Sequence, residues 1–287
     1  MAADRSDIGA AGLTAPATRV GRDGALSLRV DHRGGRSVLT GCRWTMPLQV
    51  MAPVALDDPA AVVCMLNPTG GLVGGDRLSV DVAVGTGAHA CLTTPSATKV
   101  YRTAAGPATQ TVRLALAPRA RLEWVPDHTI PFAGAALRQR VEAEVPEGAT
   151  LLLVDAFAAG RVARGETWRF ALLDSALAVR DARGWLLHDR LMLRGGAPAP
   201  GLGLAEDRLY VATVAVIADA GLAEFASDVG ALAGGDVDVG AARLPRRGVL
   251  VRCLAADAPA LARTVDAVWA SARRRVLELP PLALRKP

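Results

Sequence analysis

The sequence predicts a mainly β protein of stacked, β-helical-like sheets, a flattened β-solenoid or a sandwich, with about two α-helices in its C-terminal third. Three observations carry this reading. Apolar and polar residues alternate with period two through the middle of the chain. Turn residues punctuate that alternation at close, regular intervals, from Gly34-Gly35 through Asp57-Asp58-Pro59 and Gly85-Thr86-Gly87 to Arg183-Gly184. A degenerate repeat of strand, turn and strand also recurs along the chain.

The first twenty residues, rich in Ala and Gly and carrying Asp4 and Asp7, read as a disordered tail (1–20). They lack the basic start and apolar core of a secretory signal. The remainder, 21–287, reads as one β-rich domain. Leu78, Val80, Val82 and Val84 alternate with Ser79, Asp81 and Ala83. Val112, Leu114 and Leu116 do the same. The run Leu137 to Val145 places four charges on one face. Strands of this kind have one buried and one wet face. Three segments superpose without gaps: VDVAVGTGAHA from Val80, VRLALAPRARL from Val112 and VEAEVPEGATL from Val141, offset by 32 and 29 residues. Stacked coils or ordinary hairpins both produce such a pattern. In the last third, Leu222, Phe225, Val229 and Leu232 fall at helical spacing, predicting a helix over 221–232. Leu261, Val265, Val268, Trp269 and Ala272 predict a second over 258–277, with Asp257 as N-cap, Pro259 in the first turn and Arg273 to Arg275 in the last. A strand at 249–254 lies between them.

Composition excludes several classes. With 51% apolar and 21% charged residues, the chain has enough surface to bury. Four cysteines (Cys42, Cys64, Cys91, Cys253) are too few for a disulfide scaffold and form no C-x-x-C pair, so they read as reduced, mostly buried thiols of a cytoplasmic protein. Net charge is only +5 and the arginines are scattered, which gives no footprint for nucleic acid. No apolar stretch approaches a membrane span, so no membrane partner is expected.

Two strings stand out. Asn67-Pro68-Thr69-Gly70-Gly71-Leu72-Val73-Gly74-Gly75-Asp76 holds four glycines in six positions, which demands positive φ or close backbone approach. It lacks the lysine of a phosphate loop and precedes a strand, so it reads as a structural loop presenting Asp76. Thr93 to Arg102 carries Lys99, one of only two lysines, among hydroxyl side chains; it reads as a binding loop or as a solvated turn. The four histidines (His32, His89, His128, His188) form no metal motif, so a closed structural site is not expected. Scattered acids and His128 leave a loose path for a divalent ion open. No nucleophile motif is present. A carboxylate pair for glycan hydrolysis or lysis stays as the alternative, although aromatics make up only 4% of the chain.

Read together, NPTGGLVGGDRL, LTTPSATKVYRT, LEWVPDHTIPF, the segment from Asp155 through GRVARGE, and LLHDRLML resemble the UreD (UreH) family of urease accessory proteins, most strongly over residues 22–200. The resemblance implies a β-rich, non-enzymatic adaptor or chaperone of urease maturation. Its partners would be apo-urease and UreF, with the GTPase UreG held through UreF. GTP would belong to UreG. This chain would hold no tight cofactor and would conduct nickel transiently through an internal tunnel.

Carried over position by position, the resemblance points to Asp76, Asp155, Glu166 and Asp189 as polar lining of the ion path. His128 stands where the family often has an acid and supplies an imidazole instead. Ala133 stands where the family often has Asp, so a ligand is missing there. Thr94, Lys99, Tyr101 and Arg102 are the partner-binding candidates. The repeat register adds one expectation: counting six places from Ala88, Ala120 and Ala149 puts Thr94, Pro126–Asp127 and Asp155 in one column of a stacked structure.

Overall fold

A computed structural model describes residues 22–52, 56–102, 106–195 and 205–284. The expected tail 1–20 lies outside the described residues. Two large sheets are stacked. The first has seven strands in the order β16 (Gly184–Arg194), β15 (Leu172–Asp181), β11 (Ala136–Glu144), β8 (Ala108–Leu116), β5 (Arg77–Val84), β1 (Asp23–Arg33) and β2 (Arg36–Thr45). The path of the second runs β18 (Val237–Arg243), β19 (Gly248–Ala255), β17 (Tyr210–Ile217), β12 (Thr150–Ala158), β9 (Arg121–Val125), β6 (His89–Thr93), β4 (Ala61–Leu66) and β3 (Gln49–Val50). Two short strands, β7 (Thr98–Val100) and β10 (Thr129–Pro131), pair beside it, and β13 (Gly160–Arg161) with β14 (Glu166–Thr167) forms a small ribbon.

From β5 to β15 the chain alternates between the large sheets, and successive passes within each sheet are parallel. This is a flattened solenoid. Its register is the one the repeat predicts: Val80 faces Val112, which faces Val141, and Ala90 faces Leu122, which faces Leu151. The corner repeats as well. Ala88, Ala120 and Ala149 donate to Gly85, Ala117 and Pro146 in equivalent turns. The preceding residue is left-handed each time, Gly87 (φ 68°), Arg119 (φ 59°) and Gly148 (φ 78°). Each Ala is fully buried.

Two cores result. One lies between the sheets and is built from Val, Leu and Ala of both. The other lies between the far face of the second sheet and the helices. The second sheet is therefore buried on both faces, which explains the continuous run LLLV in β12. The outer face of the first sheet is wet, and β11 alternates accordingly. Across that face, charges pair between strands, as in Arg113 with Asp81 and Arg190 with Asp174.

The helices are α1 (Leu222–Gly230) and α2 (Ala258–Ala272), the latter continued by a π turn over Arg273–Leu277. Asp257 caps α2 by accepting from the Ala260 amide at 2.7 Å. An unexpected ion pair fastens this end of the chain. Arg273, which the sequence places in the last turn as a charge suited to the helix dipole, is fully buried. Its Nη1 donates to Glu123 Oε1 at 2.6 Å, its Nε to the Pro280 carbonyl at 2.8 Å, and it pairs with Asp58. Glu123 also accepts from His89 Nε2 at 2.7 Å and from Trp269. Burial by itself would raise the Glu123 carboxyl. The His89 hydrogen bond and the Arg273 charge outweigh that, holding it below its ordinary value. The cysteines are less buried than expected: Cys91 and Cys253 are buried, Cys64 is half-buried and Cys42 is exposed.

Replacing Arg273 by Met leaves Glu123 and Asp58 buried without their cation. We expect a loss of about 3–5 kcal/mol in urea denaturation, with earlier proteolysis of the segment after α2. Unchanged stability would show that the pair does not anchor the helix.

Candidate functional site

The two strings singled out in the sequence fold against each other. The Leu72 amide donates to the Lys99 carbonyl and the Tyr101 amide to the Leu72 carbonyl, both at 2.8 Å. At Gly71 (φ 150°) a Cβ would lie 2.3 Å from the Lys99 oxygen, so close approach is what demands glycine there. The Tyr101 hydroxyl donates to the Gly70 carbonyl at 3.2 Å, and its ring meets Phe132 edge-on. Asp76 is not presented outward. It is buried, and its Oδ2 accepts from the Val73 amide at 2.8 Å, closing the loop on itself.

Beneath these loops the inter-sheet space opens into a cavity of about 180 Å³. That is room for on the order of ten waters. Thr94, Asp127, Gln110, Gln139 and Asp155 contribute polar groups to its wall, among aliphatic side chains and Trp124. The predicted column therefore exists: Thr94, Asp127 and Asp155 line one space, and the Asp127 amide donates to Thr94 Oγ1 at 2.9 Å.

Asp155 is the buried charge of this wall. Its position on β12 points between the sheets, where Gln139 Nε2 of β11 and Ser175 Oγ of β15 each donate to it at 2.7 Å. Its neighbours across the second sheet are Thr213 and then Arg252. Burial pushes the Asp155 carboxyl up from 3.8 to about 6. The Ser175 and Gln139 hydrogen bonds pull the other way, nearby Asp189 adds to the rise, and Arg252 opposes it.

The other sequence candidates are dispersed. Asp189 on β16 accepts from Arg252 Nη2 at 2.5 Å, so it joins the same polar row beyond Asp155. Glu166 lies in the β13–β14 ribbon, paired with Arg161 and accepting from the Ala133 amide at 3.4 Å. His128 lies outside the cavity wall, with its ring edge-on to Tyr210 at 5.8 Å. Lys99 and Arg102 have exposed side chains beside the cavity loops, whereas Thr94 and Tyr101 are tied into intramolecular bonds. Among the described residues, no three His, Cys, Asp or Glu side chains converge to hold a metal. Nor is any helix there long and apolar enough to cross a membrane.

Gln110, Gln139, Ser175, Thr213 and Arg252 escaped sequence reasoning. A signal was present for Gln139. It occupies an inward phase of β11 between Leu137 and Val141, where alternation calls for an apolar residue. The stacking register then places Gln110 and Ser175 in its row.

Two outcomes follow. Gly71→Ala should lower stability by about 1–3 kcal/mol by forcing Lys99 away, read from the denaturant midpoint. For Asp155, the folded pKa is raised. The stability it contributes is full below 3.8 and is lost as pH rises through about 6. The cost at neutral pH is roughly 3 kcal/mol. Asp155→Asn should therefore be more stable than the parent at pH 7.5 and equal to it near pH 4 in urea denaturation. A variant less stable at pH 7.5 would contradict this assignment.

A family model described as UreD urease accessory protein matches residues 22–287. The chain is 36% identical over 261 residues to the urease accessory protein UreD of Alkalilimnicola ehrlichii, covering 90% of this chain and 88% of that one. Identity is 33% to UreD of Deinococcus radiodurans, with 92% and 95% covered, and 31% to UreD of Klebsiella aerogenes, with 94% and 98% covered. With the match extending past both sheets and through the helices that close the second core, this chain belongs to the UreD family of urease accessory proteins.

Proposed function

We propose that this chain is a non-enzymatic maturation factor that hands nickel to apo-urease through its inter-sheet cavity. In this reading it works in the cytoplasm, binds UreF and, through UreF, UreG, and uses no tightly bound cofactor. The observation that supports it is Asp155: a buried carboxylate on the wall of a cavity in a member of a urease accessory family. Asp155, Ser175, Gln139 and Thr94 offer oxygen donors, which hold nickel more weakly than imidazole does. Weak donors suit passage, because a full ligand set would trap the ion.

The exposed Lys99 and Arg102 flank the loops over the cavity, and we assign them to partner contact. The glycan hydrolase or lyase alternative finds little in the cavity. Its aromatic lining is Trp124, buried in the wall, where sugar binding calls for exposed ring faces.

The test is urease activation in cells expressing the urease subunits with the accessory proteins. At limiting nickel, Asp155→Asn should lower urease activity and nickel content while UreF still co-purifies. Loss of UreF binding would make Asp155 structural, and normal activation would remove it from the path. Lys99→Glu with Arg102→Glu should instead weaken co-purification of a partner while leaving thermal stability unchanged.

A further inference from the structure

The polar row does not stop at Asp155. From the cavity it continues through Ser175 and Thr213 to Arg252 and Asp189. These last two lie where the sheets end. Asp189 is on β16, the terminal strand of the first sheet, and Arg252 is on β19, next to the terminal strand of the second. Their side chains are 18% and 40% exposed, so the pair stands at the surface, unlike the buried Asp155. Arg252 is held there from both sides: Nη2 donates to Asp189 Oδ1 at 2.5 Å, and Nη1 donates to Thr213 Oγ1.

A guanidinium does not deprotonate in proteins. A fixed positive charge next to the carboxylates of the row repels any other cation that approaches them. The site therefore already contains a cation, and that cation belongs to the protein.

We propose that Arg252 is a tethered counter-cation that closes the interior polar row beyond Asp155, and that a divalent cation passes only when the guanidinium leaves Asp189. This rests on the reading of nickel passage given above and adds its regulation. Arg252 is a positioning residue: it bars or frees the carboxylates and holds no cargo itself. An anionic group of a docked partner, taking Asp189's place at the guanidinium, would supply the opening.

The experiment is calorimetric titration of the purified full-length chain with NiCl₂. Arg252→Gln keeps a donor for Thr213 and removes the charge, and should bind nickel about tenfold more tightly than the parent. Arg252→Lys keeps the charge and should match the parent. Asp155→Asn added to Arg252→Gln should abolish the gain. If Arg252→Gln is unfolded by circular dichroism, Arg252→Met is read by the same criteria. An Arg252→Gln affinity within about twofold of the parent overturns the gate, as does a gain that survives Asp155→Asn. Failure of the gate is separable from failure of the passage reading. The first leaves Asp155→Asn defective in urease activation, whereas the second leaves Asp155→Asn fully active there.

Discussion

Each coil of this protein completes its backbone hydrogen bonds on the coil before it, in parallel and in register, and the other features answer to that constraint. Because Val80, Val112 and Val141 must stand opposite one another, the inward positions of successive coils line up as columns through the stack. Columns of Val, Leu and Ala give the inter-sheet core. The column through Gln110, Gln139 and Ser175 gives a polar stripe inside it. Corners are subject to the same rule, which is why Arg119 takes a left-handed conformation that glycine fills in the neighbouring coils.

A sheet buried on both faces needs a second cover, and the C-terminal third supplies it. The helices contribute apolar surface. The Arg273, Glu123 and Asp58 group adds directional attachment, since breaking a buried charge pair costs more than shifting an apolar contact. Glu123 belongs to the solenoid and Arg273 to the end of the chain. The pair therefore ties the last element to the stack across 150 residues.

Polar groups inside an aliphatic stack conflict locally with the pattern around them, and such conflicts concentrate where function resides. Asp155 illustrates the trade. Its carboxyl destabilises the fold at neutral pH, yet it is held by two well-made hydrogen bonds instead of being replaced by an apolar side chain. In the segment that carries it, LLLVDAFA, every other residue is apolar.

The sequence by itself determined the β class, the two C-terminal helices and the family. Those properties are periodic or local: alternation selects strands and helical spacing selects α1 and α2, whereas offsets of 32 and 29 residues suit stacked coils and hairpins alike until the structure pairs Val80 with Val112 and Val112 with Val141. It also showed that the glycine string needed positive φ or close backbone approach, and the structure assigned close approach to Gly71. Only the tertiary structure decided which of the ion-path candidates reach the cavity. Asp76, Glu166 and His128 look as suitable as Asp155 in the linear chain, but a loop closure, a ribbon ion pair and a ring contact take them elsewhere. The roles of Arg273 and Arg252 are hidden in the linear chain for the same reason. A single charge on a strand or a last turn says nothing about the carboxylate that a distant strand brings to it, and that meeting depends on how the two sheets and the helices are laid on one another.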